Sequence, residues 1–292
     1  MNTLYRNILK NKNSILTKDM ISKIDNSEII LIDNVAEYFW KSEQDEWDFE
    51  KDFPNLAPPF ENMWMEYSMP SGVLHFDGEN HKRDSSGTRV GVLFSSVDIT
   101  ESGAKWGLLM SLFLGNSERV NNDYFMYGLA IEKDGRIAKY GEEVQYMAII
   151  PEEINATERV HKIYDELFVN VYPALLAISF LHCKNVEIIP RKSDDKKNEK
   201  RNRNSSKIKY KVLEIEPMKK VLREEGKSES LGLKQSLHIC RGHFKDFSKG
   251  EGLFGKYKDM YWWNSQVRGS IEKGIVMKDY VITSPVEGES NG

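Results

Sequence analysis

Apolar and polar positions alternate along the second quarter of the chain, and this period-two pattern predicts β-strands. Turn residues separate the apolar runs, which favours an antiparallel sheet. The clearest turn lies at residues 133–136, because its Asp-Gly pair accommodates the positive φ of a type I′ hairpin. The predicted strands cover residues 73–76, 90–94, 108–113 and 124–131.

A helical period follows this sheet. Between residues 157 and 183, apolar side chains recur every three or four positions, which predicts an amphipathic helix that covers one face of the sheet. Pro173 lies inside this segment and should kink or split the helix. A short strand is predicted at 186–189. Ahead of the sheet, residues 1–40 favour short helices around the apolar run 29–32, which fits either a strand or a buried helical turn.

The composition changes abruptly at residues 191–209, which hold nine basic and three acidic residues, a local charge of +6. Such a segment buries too little apolar area to offset the entropy of ordering it, so it is predicted to be a linker. The chain is therefore predicted to be an α+β protein with an N-terminal domain at 1–190, the linker, a β-rich C-terminal module at 210–284 and a disordered tail at 285–292.

Composition excludes several classes of protein. Apolar residues make up 40% and charged residues 29% of the chain, as in globular proteins. The net charge of −4 gives no overall attraction to nucleic acid or anionic membranes. Two cysteines are too few for a disulfide framework and indicate a reducing, cytoplasmic location. No apolar run has the length of a membrane span, and no phosphate-binding loop, serine-hydrolase elbow or zinc-protease motif occurs, so no membrane and no cofactor are predicted.

The densest set of functional side chains lies near the C-terminus. If residues 237–245 form a strand, Arg241, His243 and Lys245 share one face, where they suit phosphate oxygens. Nearby aromatic rings suit stacking on a base. The alternative is structural, with the tryptophans in a core and the cations solvated. The predicted ligand-binding residues are Arg241, His243, Lys245, Lys256, Tyr261, Trp262, Trp263 and Arg268.

No metal site is predicted. His238 and Cys240 lie on the opposite strand face from His243, so the three do not converge on a zinc ion, and core packing is the simpler interpretation of the first two. The acidic residues between 43 and 52 alternate with Trp47 and Phe49, which favours a solvated helix face over a divalent-cation site.

An ordered string of motifs carries a resemblance. It comprises residues 180–186, the basic segment, and residues 241–245, 253–256, 261–263 and 267–269. In this string the chain resembles a group of uncharacterised proteins encoded by bacteriophages, prophages and other mobile elements. The resemblance covers the C-terminal third. It implies a bacterial or phage cytoplasm and a role in regulation, nucleic-acid handling or interference with host defence, and it assigns no catalytic residue.

Three hypotheses follow. The first is a non-enzymatic binding protein that contacts DNA, RNA or a host protein associated with nucleic acid. The second is a nuclease or toxin-like phosphodiesterase with His243 as general acid or base. The third is a purely protein-directed inhibitor or structural factor that uses the same aromatic and arginine residues as an anchor patch. In each case the N-terminal domain is available for homo-oligomer contacts.

Overall fold

A computed structural model describes residues 3–11, 16–42, 47–70, 74–76, 81–83, 88–97, 106–115, 120–132, 134–140, 143–144, 146–190, 211–215, 236–240, 243–252, 258–263, 266–268 and 270–276. Helices and strands are both abundant, so the predicted α+β class is confirmed. The helices are α1 (Leu4–Asn11), α2 (Lys18–Asp25), α3 (Asp33–Lys41), α4 (Phe49–Asp52), α5 (Glu158–Phe168) and α6 (Tyr172–Leu181).

The strands include all four runs predicted in the second quarter of the chain. They are β1 (Glu28–Leu31), β2 (Asn62–Ser68), β3 (Leu74–Phe76), β4 (His81–Arg83), β5 (Arg89–Val97), β6 (Trp106–Gly115), β7 (Val120–Ile131), β8 (Lys139–Tyr140), β9 (Glu143–Val144), β10 (Tyr146–Ile149), β11 (Val186–Pro190), β12 (Lys211–Ile215), β13 (Ser236–Cys240), β14 (His243–Asp246), β15 (Met260–Trp263), β16 (Gln266–Arg268) and β17 (Ser270–Val276).

Eight strands form one large sheet in the order β10-β7-β6-β5-β2-β1-β12-β11. The pairs from β10 to β2 are antiparallel, as predicted. The sheet as a whole is mixed, however, because β1 runs parallel to both β2 and β12. The apolar run 29–32 is therefore a strand rather than a helical turn, and α3 lies in the crossover that parallel neighbours require.

Apolar layers cover both faces of the large sheet. Along β2, Met63, Met65 and Tyr67 point into a core shared with α3, α5 and α6. Trp64 points to the other face, where a smaller core forms beneath α1 and α2. Residues 63–67 are buried without exception, so β2 has no polar side on which to alternate. The sheet therefore lies between two helical layers rather than under one.

The predicted long helix is split, as Pro173 required. A 3-10 turn, Val169–Val171, separates α5 from α6, and the proline occupies the first turn of α6, where its missing N–H is tolerated. Thr157 caps α5 by accepting a hydrogen bond from the Val160 amide. The combined segment Glu158–Leu181 has the length and apolarity of a membrane span, and 72% of its most apolar window is buried inside the protein, as in core helices of soluble proteins.

Two local predictions need correction. The turn at 133–136 is present, but three residues separate Glu132 from Arg136: the Gly135 amide donates to the Glu132 carbonyl at 2.9 Å, and Gly135 has a φ of 87°. This is a three-residue hairpin with a left-handed glycine instead of a two-residue type I′ turn. The second concerns β12, which belongs to the large sheet and not to a module that begins at residue 210. Residues 191–209 and 285–292 lie outside the described residues.

Candidate functional site

Five of the eight candidate ligand-binding residues lie in the hairpin formed by β14 and β15. These strands pair antiparallel, with His243 opposite Trp263, Phe244 opposite Trp262 and Lys245 opposite Tyr261. Because successive residues of a strand face opposite sides, the first and third pairs lie on one face and the second pair on the other. We call the face with His243, Lys245, Tyr261 and Trp263 the outer face.

The inner face of the hairpin packs into the main core. The Trp262 ring is 2% exposed and meets Phe244 and Phe180 at centroid distances of 4.7 Å each, with Tyr38 at 5.7 Å. All three contacts are tilted or edge-on arrangements that aromatic pairs favour. Trp262 is therefore a core residue, as the structural alternative held, and it has no free ring face for a base.

Asn185 fastens the hairpin to the end of α6. Its side-chain amide donates to the Trp262 carbonyl at 3.0 Å, and its side-chain oxygen accepts from the Trp262 amide at 2.9 Å. The Lys184 amide adds a hydrogen bond to the Met260 carbonyl at 2.9 Å. Asn185 is 4% exposed. Its side chain therefore satisfies, inside the protein, the backbone amide and carbonyl that a neighbouring strand would otherwise pair with. The hairpin is thus held at a fixed position against the core.

The outer face has a cationic part and an aromatic part. His243 is exposed, and Lys245 is half-buried. Tyr261 is 4% exposed, and burial raises the pKa of its phenol, so the side chain is neutral. Its ring lies beneath the face and is not accessible to a stacking base. Trp263 shares the face by register. Lys245 and His243, two residues apart on one strand face, can donate hydrogen bonds to phosphate oxygens.

The remaining predicted residues do not join this face in the described part of the chain. Arg268 lies in β16, opposite His238 in a separate three-stranded sheet with β13 and β17. Arg241 and Lys256 lie outside the described residues. Within the ranges that the structure describes, no group of three or more His, Cys, Asp or Glu residues is arranged to hold a metal ion.

The acidic segment near residue 50 contributes to a cleft that the sequence did not reveal. Trp47 stacks on Phe39 at 4.5 Å, and Phe49 packs against the main core, while Glu50 is solvent-exposed. This agrees with a solvated helix face for α4. The cleft has a volume of about 510 Å³ and is lined by Phe49, Glu50, Phe53, Glu132, Asp134, Arg136 and Ile137.

The sequence did not predict this cleft, because α4 and the hairpin at 132–137 are far apart along the chain. The Asp-Gly pair predicted a reversal of the chain at Asp134, but it did not predict which distant residues would lie beside it. Phe53 packs beneath the cleft at 1% exposure, and Arg136 forms an ion pair with Asp134 at 2.7 Å. A hydrogen bond from Arg136 holds the pKa of the Asp134 carboxyl below its usual value.

Glu66 and His182, two polar side chains outside the hairpin and the cleft, have structural partners. Glu66 is fully buried, pairs with Arg89, and accepts hydrogen bonds from the Leu4 amide at 2.7 Å and the Tyr5 amide at 3.0 Å, which anchors the start of α1. The ring of His182 contacts the Ala57 carbonyl at 2.7 Å, and burial lowers the pKa of this imidazole. These groups hold the fold together and lie outside the lining of the cleft.

Comparison of the chain with protein-family models, with curated proteins and with solved structures gives no match in any of the three.

Proposed function

We propose that the chain is a non-enzymatic binding protein of a phage or other mobile element, and that it contacts single-stranded nucleic acid through the outer face of the β14–β15 hairpin. The observation that carries the proposal is the register of this hairpin, which sets His243 opposite Trp263 and Lys245 opposite Tyr261. Cations and an aromatic residue on one strand face match the two elements of single-strand binding, a charged track for phosphates and a surface for bases.

The anchoring of the hairpin supports a binding role. Trp262 and Phe244 fill the core on the inner face, and Asn185 holds β15 through two buried hydrogen bonds. Side chains on a rigid element lose little conformational entropy on binding, so the outer face is pre-organised. In this view the hairpin β14–β15 carries the ligand surface, and the main core with its split helix holds the hairpin in place.

Single-stranded nucleic acid is favoured over a duplex because stacking on Trp263 requires an unstacked base. Such stacking is worth about 1–3 kcal/mol for each base. A base inside a duplex offers no free ring for that contact. The proposed regulatory or anti-defence role would follow from sequestering such a strand.

The test is a fluorescence anisotropy titration of the full chain with labelled single-stranded and duplex RNA and DNA, at salt concentrations of about 50 and about 200 mM. The variant is His243→Gln combined with Lys245→Gln. If Lys245 contacts a phosphate, the slope of log affinity against log salt becomes shallower by about 0.7, the contribution of one phosphate contact with a single strand.

The matched control is His161→Gln combined with Lys162→Gln, which removes the same two side-chain types from the exposed surface of α5. It should leave affinity and salt slope unchanged. A folded hairpin variant that binds as the unaltered protein does would refute the phosphate contact. Cleavage of the oligonucleotides would replace the proposal by the nuclease hypothesis, and absence of binding to all four would leave the protein-directed hypothesis.

A further inference from the structure

The two outer strands of the large sheet differ in how they are protected from pairing with another chain. β11 carries an exposed carboxylate, Glu187, and ends at Pro190, which has no amide hydrogen for a further strand. β10 has no charged residue and no proline, and its register with β7 has no bulge. Charged residues, prolines and bulges are the usual devices that stop an edge strand from pairing again. Apart from its short length, β10 has none of them.

Exposed apolar side chains lie at the unprotected edge. Among the described residues, the exposed large apolar side chains are Met147 at 64% and Ile154 at 43%. Met147 lies in β10, and Ile154 lies in the turn that follows it. The residue opposite Met147 is Gly128, which offers no side chain to cover it. No described strand pairs with the outer side of β10. The edge therefore offers both contacts that an added strand makes, backbone hydrogen bonds and a side-chain contact.

The surroundings of β10 are negatively charged. Glu152 and Glu153 follow the strand, both are exposed, and neither is part of an ion pair in the described part of the chain. Residues 139–168, from β8 to the end of α5, contain seven acidic and three basic residues, a net charge of −4. The neighbouring strand β7 adds Asp123 and no basic residue. A basic segment is attracted to such a surface, and an acidic one is repelled.

We propose that β10 binds an extended segment of a partner protein by strand addition, and that this segment carries lysine or arginine beside its apolar residues. The backbone of the segment would pair with the open side of β10. One apolar side chain would contact Met147, and the cations would pair with Glu152 and Glu153. A second copy of this chain would bring the same negative charge to the contact, which disfavours a homodimer at this edge. The inference does not depend on nucleic-acid binding and goes beyond it.

The experiment measures binding of the full chain, free of nucleic acid, to an array of random-sequence peptides. We expect the bound peptides to be enriched in lysine or arginine, because the edge is acidic, and in β-branched or aromatic residues, because these favour strands. For a peptide from this set, Met147→Lys should weaken binding about tenfold or more, since it removes the apolar contact and adds a repelling cation. Met147→Leu keeps the apolar contact and should bind within about twofold of the unaltered chain.

Charge variants test the acidic turn with a matched control on the opposite edge. Glu152→Gln and Glu153→Gln should each weaken binding of the same peptide about two- to fivefold, the usual worth of one exposed ion pair. Glu187→Gln removes one exposed carboxylate from β11 and should leave the affinity unchanged. Circular dichroism of each variant establishes that it is folded. Equal effects of Glu152→Gln and Glu187→Gln would indicate general attraction to an acidic protein and would overturn the proposal.

The other outcomes also decide the matter. The proposal is overturned if no peptide binds, if the bound peptides are acidic, or if Met147→Lys binds them as the unaltered chain does. Sedimentation equilibrium of the full chain tests the remaining occupant: a dimer that Met147→Lys dissociates would assign this edge to a second copy instead of a partner. Failure of oligonucleotide binding would leave all of these results untouched.

Discussion

Replacing Asn185 by alanine tests whether the hairpin β14–β15 depends on one side chain for its position. The side chain makes two hydrogen bonds with the Trp262 backbone, at 3.0 and 2.9 Å, and both residues are nearly inaccessible to water. The variant leaves one amide and one carbonyl without a partner in the core. Each such loss costs about 1–3 kcal/mol, so we expect a decrease of about 2–6 kcal/mol in the free energy of unfolding.

Urea denaturation followed by circular dichroism measures the global loss, and hydrogen exchange of residues 243–246 and 260–263 measures local release of the hairpin. The matched control is Asn26→Ala, which removes an exposed asparagine whose amide donates to the Ser22 carbonyl at 2.9 Å. Water replaces that bond, so the control should cost less than about 1 kcal/mol. Equal costs for the two alanine variants, with unchanged exchange in the hairpin, would refute the role given to Asn185.

Two further predictions concern the fold. In thermal melts, Gly91→Ala should lower stability by about 1–3 kcal/mol, because a Cβ there would lie 2.4 Å from the Trp64 ring. Gly128→Ala, whose nearest contact would be at 3.7 Å, should be almost neutral in the same measurement. His182 has a lowered folded-state pKa, so its neutral form contributes stability above the unfolded-state pKa of about 6.5 that is lost as the pH falls below it. His182→Gln should therefore flatten the loss of stability between about pH 7.5 and about pH 5.5, and an equally steep loss in the variant would contradict this.

β7 was recognisable because buried and half-buried residues alternate between residues 127 and 131, and α5 because it has one buried stripe. β5 is buried on both faces from Val90 to Ser95, and it was predicted as an apolar run between turn residues. β2 gave no such signal, since Trp64 and Glu66 are buried on one side and Met63 and Met65 on the other. Its carboxylate is stabilised by Arg89 and by amides of α1, partners that no local pattern identifies.

The candidate site was predicted in its local geometry and not in its surroundings. Alternation grouped His243 with Lys245, and both lie in β14. The single strand predicted over residues 237–245 is instead two strands, β13 and β14, in different sheets. Whether Trp262 faces solvent depended on Phe180 and Tyr38, which come from distant parts of the chain. The composition of residues 191–209 suggested a domain boundary, yet the strands on either side, β11 and β12, are paired neighbours. The charge of a segment indicates whether that segment packs, but it does not predict which strands pair on either side of it.

The position of β1 in the large sheet has a consequence for biosynthesis. One side of β1 pairs with β2, which leaves the ribosome soon afterwards, but the other side pairs with β12 at residues 211–215. For most of translation this second edge has its backbone groups unpaired, and an open strand edge is a template for association with other chains. The nascent protein therefore depends on late completion of its sheet, and we expect ribosome-bound chains that stop before residue 211 to recruit chaperones more strongly than longer ones.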